Sequence, residues 1–100
     1  MVSSEADRGM QRGGPEASRL SVRCRFFARY AEMVGCDTYR LAVPSGATVA
    51  DAVATVRERL RGATGLPADP MVAVNREHAR SDRVLTEGDE VAFLPPLAGG

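Results

Sequence analysis

The feature that most restricts the fold is one amphipathic helix placed among short, strand-like segments. The segment from Thr48 to Asp51 has a capping-box pattern, in which the threonine hydroxyl accepts a hydrogen bond from the first helical turn. Apolar residues then recur with the i, i+3, i+4, i+7, i+11 spacing of one helix face, at Val49, Ala52, Val53, Val56 and Leu60. Gly62 is the predicted end of the helix. A single stripe of this kind can cover only one sheet, which the remaining segments must supply.

Strand patterns lie on both sides of this helix in the sequence. Residues 20–27 and 38–43 alternate between apolar and polar side chains, which is typical of half-buried strands. In the first of these strands, Phe27 falls on the otherwise polar face. Residues 71–75 are almost entirely apolar and predict a strand covered on both faces, and residues 90–94 predict the last strand.

The connections follow from turn residues. Residues 28–34 predict a short helical turn closed by Gly35, residues 62–70 a loop, and residues 83–85 a very short pairing segment. Residues 75–78, from Asn75 to His78, predict a turn in which the asparagine takes a left-handed conformation. The resulting order predicts an α+β fold, a ubiquitin-like β-grasp in which one mixed sheet is covered by one main helix.

The two ends of the chain differ from this body. Residues 1–19 lack periodicity and predict a disordered leader, so the β-grasp domain is expected to span residues 20–94. Residues 95–100 predict an extended tail, because Pro95 and Pro96 favour a polyproline-like arm and Gly99 carries no Cβ that would block a narrow channel. We expect the Gly100 carboxylate to be the reactive group. The alternative is a frayed tail or a cloning remnant.

Composition argues against several classes of function. The formal net charge is zero, which gives no footprint for nucleic acid or for a membrane surface. No apolar run approaches the roughly 18–20 residues of a membrane span, and no signal-peptide core is present, so a cytoplasmic location is expected. Cys24, Cys36 and His78 are too few to form a four-ligand metal site within the chain. We therefore expect no metal and no stably bound cofactor.

Several blocks of the sequence together resemble a known family. They are Arg25-Phe26-Phe27-Ala28, Asn75 after an apolar strand, Leu85-Thr86-Glu87-Gly88-Asp89-Glu90-Val91-Ala92-Phe93, and the final Leu94-Pro95-Pro96-Leu97-Ala98-Gly99-Gly100. Over about residues 20–100, the chain resembles the small subunits of molybdopterin synthase and, more broadly, the prokaryotic ubiquitin-like sulfur carriers. The final block gives the resemblance most of its specificity.

The resemblance implies chemistry at Gly100. A ubiquitin-activating-like adenylyltransferase would use ATP and Mg²⁺ to convert the terminal carboxylate to an acyl-adenylate. Persulfide sulfur from a sulfurtransferase would then displace AMP and leave a thiocarboxylate. In the large subunit of molybdopterin synthase, within a heterotetramer, the tail would deliver this sulfur to cyclic pyranopterin monophosphate. The chain would thus donate sulfur within a sulfurtransferase complex without being catalytic alone.

Residues beside and within the tail are expected to contact partners. Phe27 and Leu94 predict a docking patch on the sheet face opposite the helix. Arg23 and Arg25 share that face, either as a charged rim of the patch or as plain solvated strand positions. The other expected partner-binding residues form the tail itself: Pro95, Pro96, Leu97, Ala98 and Gly99. Three alternatives remain open: a sulfur carrier for cysteine, thiamine or specialised-metabolite biosynthesis, a non-catalytic β-grasp interaction module, and a protein modifier conjugated through its last residue.

Overall fold

A computed structural model describes residues 19–96 of the chain. The predicted leader, apart from Arg19, and the tail residues Leu97, Ala98, Gly99 and Gly100 lie outside the described residues. The described elements are β1 (Arg19–Phe26), α1 (Arg29–Val34), β2 (Thr38–Pro44), α2 (Val49–Arg59), a 3₁₀ helix (Arg61–Gly65), β3 (Met71–Val74), β4 (Glu77–Ala79) and β5 (Glu90–Leu94).

The five strands form one mixed sheet in the order β2-β1-β5-β3-β4. The two central strands, β1 and β5, run parallel, whereas the other neighbouring pairs are antiparallel. A parallel pair needs a long crossover connection, and α2 lies within that crossover. The predicted ubiquitin-like β-grasp is confirmed.

The core lies between α2 and one face of the sheet. Phe26 and Phe93, on the parallel central strands, pack with their ring centroids 5.0 Å apart. The predicted stripe is buried at Val49, Ala52, Val53 and Val56, whereas Leu60 is partly buried. Burial of this apolar surface is the main favourable contribution to folding.

The N-terminus of α2 has the predicted capping box. The Thr48 hydroxyl accepts from the Asp51 backbone N–H at 3.3 Å, and the Asp51 carboxylate accepts from the Thr48 N–H at 2.9 Å. The next free N–H groups, at Val49 and Ala50, donate to the carbonyl oxygens of Arg83 and Ser81, each at 2.9 Å. All of these first-turn donors are therefore satisfied within the protein.

The predicted end of the helix is wrong by three residues. The helix ends at Arg59 with Leu60 as its C-cap, and Gly62 lies inside the following 3₁₀ helix, so the predicted loop at 62–70 is partly helical. The glycine has a packing role instead, because a Cβ at Gly62 would lie 1.6 Å from the Met33 carbonyl oxygen. The 3₁₀ helix can approach α1 this closely only without a side chain at that position.

The predicted turn at 75–78 is also shorter than expected. Asn75 and Arg76 both have positive φ, 52° and 73°, which confirms the left-handed asparagine and makes a two-residue hairpin turn. Glu77–Ala79 then pairs with β3 as the edge strand β4, so His78 lies on a strand and not in a turn. The short pairing segment predicted at 83–85 forms only an isolated bridge, between Val84 and Thr48.

The strand predicted at 71–75 ends one residue early and is covered only in part. Val72, Ala73 and Val74 are buried, but Met71 is 53% exposed. Within residues 19–96, helices that are both long and apolar enough to cross a bilayer are absent.

Candidate docking surface at the base of the tail

The tail leaves the body from the middle of the sheet. Strand β5 is hydrogen-bonded to β1 on one side and to β3 on the other, and its last residue, Leu94, lies opposite Met71. Pro95 and Pro96 follow directly, the first partly buried and the second exposed. Because both neighbours hold β5, the point from which the tail departs is fixed relative to the whole domain.

An apolar groove surrounds this point of departure on the sheet face opposite α2. The groove has a volume of about 640 Å³, and its lining residues are Ala28, Arg29, Met71, His78, Leu94, Pro95 and Pro96. Phe27, which precedes the lining residues Ala28 and Arg29, is 37% exposed. We call this region, with Phe27, the tail-base surface. Exposed apolar side chains are common singly, and their grouping here makes this surface the candidate docking site.

The backbone turns sharply where β1 meets this surface. Ala28 has φ 51° and ψ −129°, a left-handed φ that is uncommon for a residue with a Cβ. The strand therefore ends at Phe26, and Phe27 begins the turn into α1 while remaining exposed. Alternation along β1 assigns Phe27 to the open face, and the positive φ of Ala28 turns the chain directly after it.

Small side chains form the middle of the open face. The register places Arg25 beside Ala92, Ala92 beside Ala73 and Ala73 beside His78, one row across four strands. The two alanines in the centre of this row leave a shallow floor next to the groove. Ala73 and Ala92 are largely buried, with 8% and 7% exposed, so the row presents its two ends, Arg25 and His78, to a partner and not its centre.

The predicted rim arginines contact one carboxylate. Glu90 Oε2 lies 3.5 Å from Arg25 Nη1 and 3.6 Å from Arg23 Nη2, and the Glu90 side chain is only 16% exposed. The Arg25 guanidinium lies over the ring of Phe27, with 5.1 Å between its central carbon and the ring centroid.

A buried aspartate closes the end of the sheet opposite the tail. Asp89 is 6% exposed and accepts from the Asn75 amide at 2.9 Å, the Thr86 backbone N–H at 2.9 Å and the Thr86 hydroxyl at 3.0 Å. Burial acts to raise the pKa of this carboxyl, but the hydrogen bonds from Thr86 and Asn75 and the charge of Arg83 outweigh it and hold the pKa below its usual value.

Two further features bear on the chemistry of residues 19–96: their metal-ligating side chains and the Cys24 thiol. Among residues 19–96, no group of three or more His, Cys, Asp or Glu side chains is arranged to hold a metal ion. Burial, together with the neighbouring Cys36, raises the pKa of the Cys24 thiol to about 12, so Cys24 stays protonated at neutral pH.

The structure brings Phe27, Leu94, Pro95 and Pro96 to one end of the sheet, whereas Gly100 lies outside the described residues. Sequence reasoning missed Met71 as part of this surface and Glu90 as the partner of both arginines. A signal was present for Met71, since alternation along β3 places it opposite the core-facing Val72. The Glu90 contacts depend on the parallel register of β1 and β5, which no local pattern specifies.

These features define a ubiquitin-like β-grasp protein whose central strand leads into its C-terminal tail. The ThiS family pattern matches residues 24–100, and the chain belongs to the ThiS family.

Three related proteins support this membership or the fold. The molybdopterin synthase sulfur carrier subunit of Escherichia coli is 35% identical over 80 residues, which cover 79% of this chain and 99% of that protein. SAMP1, the small archaeal modifier protein 1 of Haloferax volcanii, superposes with a TM-score of 0.72 at 31% identity, over 80% of this chain and 99% of its own. A complex of subunits 1 and 2 of the molybdopterin-converting factor from Helicobacter pylori contains a chain with a TM-score of 0.59, which shows the fold alone at 21% identity over 81% of this chain and 100% of its own.

Proposed function

We propose that this chain is the sulfur carrier subunit of a molybdopterin synthase and delivers sulfur from a thiocarboxylate on Gly100 to cyclic pyranopterin monophosphate. The observation that carries the proposal is the family match that runs through Gly100, on a body whose central strand leads into that tail. The Escherichia coli relative with this subunit name aligns over nearly its full length.

Activation of the tail needs chemistry from other proteins. A carboxylate is a poor electrophile, so its oxygen first attacks the α-phosphorus of ATP, with Mg²⁺, on a ubiquitin-activating-like adenylyltransferase, and pyrophosphate leaves. The terminal sulfur of a sulfurtransferase persulfide then attacks the acyl carbon, and AMP leaves. A thiol cleaves the resulting S–S bond, which leaves the thiocarboxylate on Gly100.

The chain itself contributes position. The tail-base surface docks against the large subunit, and two copies of each subunit assemble into a heterotetramer. Pro95 and Pro96 hold the arm extended toward the active site of the large subunit. Holding the reacting group in place in this way replaces a bimolecular encounter by an intramolecular one. The Helicobacter pylori structure, a complex of two subunits of the molybdopterin-converting factor, provides a fold-level precedent for such a pair. We propose a cytoplasmic location for this reaction, where ATP for the activation step is at hand.

The experiment combines the full chain with its adenylyltransferase, sulfurtransferase and large subunit. Intact mass should show replacement of one oxygen by sulfur on the wild-type chain, followed by conversion of the pterin precursor. Deletion of Gly100, or an alanine added after it, should abolish both signals. Gly99→Val should suppress both signals and leave the stability of the chain unchanged. Gly13→Val, the same substitution in the predicted leader, is the matched control and should leave both signals intact. Undiminished transfer by the deletion variant would refute the proposal.

A protein modifier is the second candidate, because SAMP1 of Haloferax volcanii, a small archaeal modifier protein, is 31% identical. Mass spectrometry of protein from the native host separates the two functions, since a modifier appears as a series of larger conjugates. All 13 basic residues of this chain are arginine, so it offers no ε-amine for conjugation to itself. A thiocarboxylate that reacts only with a cysteine or thiamine pathway enzyme would instead identify a carrier with another acceptor.

A further inference from the structure

One motif remains without a role in the proposed function. The block Gly88-Asp89-Glu90 lies at the start of β5, at the end of that strand opposite the tail. Its glycine has φ 83° and its aspartate is buried in hydrogen bonds, but its glutamate points toward the open face of the sheet and contacts two arginines.

The backbone of Glu90 is held on both sides by one asparagine. The Glu90 N–H donates to the Asn75 side-chain oxygen at 3.0 Å, and the Asn75 N–H donates to the Glu90 carbonyl oxygen at 2.9 Å. The amide nitrogen of the same Asn75 side chain donates to the buried Asp89 carboxylate. The position of Glu90 is therefore determined by a network whose anchor is buried.

From Glu90, contacts continue toward the tail-base surface. Its carboxylate holds the Arg25 guanidinium at 3.5 Å, and that guanidinium covers the Phe27 ring. Exposed ion pairs contribute little to stability, because ordering two long side chains costs about what the attraction gives. Here the Glu90 side chain is only 16% exposed and its backbone is held by Asn75, so the cost of ordering the pair falls mainly on Arg25.

We propose that Glu90 is a positioning residue for partner docking: it fixes Arg25, and Arg25 fixes the ring of Phe27. The inference rests on the proposed function, because that function supplies the partner, the large subunit of the synthase. A side chain that is ordered before binding does not lose its freedom on binding, so the contribution of Glu90 lies in affinity and not in stability. The competing explanation is that Glu90 acts only through its charge, by offsetting the like-charged cross-strand pair Arg23 and Arg40.

A double-mutant cycle separates these explanations. Binding of the full chain to the large synthase subunit from the same organism is measured by calorimetry for wild type, Glu90→Gln, Phe27→Leu and the double variant. Glu90→Gln alone should weaken binding about three- to tenfold, the range expected for one newly immobilised side chain. In the Phe27→Leu background, the same substitution should change nothing. An equal loss in both backgrounds, or no loss at all, would overturn the proposal.

Matched controls isolate the contact with the ring. Arg25→Lys and Arg23→Lys each remove a guanidinium beside Glu90, but only the first removes the flat group over Phe27, so only the first should match the loss of Glu90→Gln. Glu58→Gln, an identical change on the exposed side of α2, should bind like wild type, and thermal unfolding of every variant checks the fold.

A measurement on the free chain keeps the inference separate from the proposed function. In proton NMR spectra, the Arg25 guanidinium protons of wild type should be shifted upfield by the ring current of Phe27. That shift should collapse in Glu90→Gln and persist in Glu58→Gln. A shift that survives Glu90→Gln contradicts the inference, whereas failure of wild type to bind the large subunit counts against the proposed function alone.

Discussion

The two faces of the single sheet differ in what their side chains do. The face under α2 is closed, with Val22, Leu41, Val91 and Phe93 each at most 1% exposed. The opposite face carries an arginine–glutamate cluster, a floor of alanines and the tail-base surface, where Met71 is 53% exposed. Since the same strands contribute to both faces, adjacent residues on one strand have different tasks. One side chain stabilises the fold and the next is available to a partner.

The strongest test of this contrast uses neighbouring residues of β5. Phe93→Ala should lower the free energy of unfolding by about 3–5 kcal/mol, because it leaves a cavity in the closed core. Leu94→Ala, one residue further along and partly buried on the other face, should cost clearly less stability and mainly weaken partner binding. Urea unfolding and calorimetry measure the two effects, and equal losses of stability would contradict the division between faces.

A second test concerns the aromatic residue at the tail base. Phe27→Ala should weaken binding of the large subunit by about 2 kcal/mol or more, the range of an interface hot spot. The free energy of unfolding of Phe27→Ala should differ from that of wild type by only about 0.5 kcal/mol, as is usual for exposed positions. Val84→Ala is the matched control, since Val84 is 55% exposed but lies outside the tail-base surface. Equal loss of binding in both variants would contradict the assignment of partner docking to the tail-base surface.

Acid should act through Asp89, which lies at the end of the sheet opposite the tail. The pKa of Asp89 in the folded protein is lowered, so its contribution to stability is present above the unfolded-state pKa, about 4, and is lost as the pH falls through the folded-state value. Asp89→Asn should remove about 1–3 kcal/mol at neutral pH, the cost of disrupting a buried hydrogen-bonded network. The stability difference from wild type should narrow on acidification. If the difference in unfolding free energy between wild type and Asp89→Asn stayed constant down to pH 2, Asp89 would not be the group whose protonation lowers stability in acid.

The smallest expected effect lies at the capping box on the closed side. Thr48→Ala should lower the free energy of unfolding by about 1 kcal/mol, because the Asp51 N–H loses its acceptor. Thr64→Ala, at an exposed position of the 3₁₀ helix, is the control and should have little effect. Neither variant should alter partner binding, since both lie away from the tail-base surface.

The closed face was predictable from sequence because its signals are local. Periodicity alone gives the stripe of α2 and the alternation of β1, β2 and β5, and one helix with several strands leaves the β-grasp as the simplest packing. Strand β4 was missed because Glu77–Ala79 is only three residues long and lies at an exposed edge, where no apolar alternation is needed. Its pairing follows instead from the two positive φ angles of the preceding turn.

The open face depends on geometry that sequence patterns do not contain. The helix end was misplaced because Gly62 serves a close approach to Met33, a contact between segments far apart in sequence. The role of Glu90 likewise depends on the parallel register with β1, and the sharp turn after Phe27 depends on the positive φ of Ala28. The docking patch at Phe27 and Leu94 was nevertheless predicted, since alternation alone assigns both residues to that face.

The central position of β5 has a mechanical consequence. A force applied to Leu94 along the strand axis pulls on β5. The hydrogen bonds that join β5 to β1 and to β3 lie across the direction of this force, on both sides of the strand. Such bonds are loaded together in shear and do not open one after another, as they would in a strand peeled from an edge. A pull on Leu94 along the strand would therefore have to break both ladders at once before the domain unfolded.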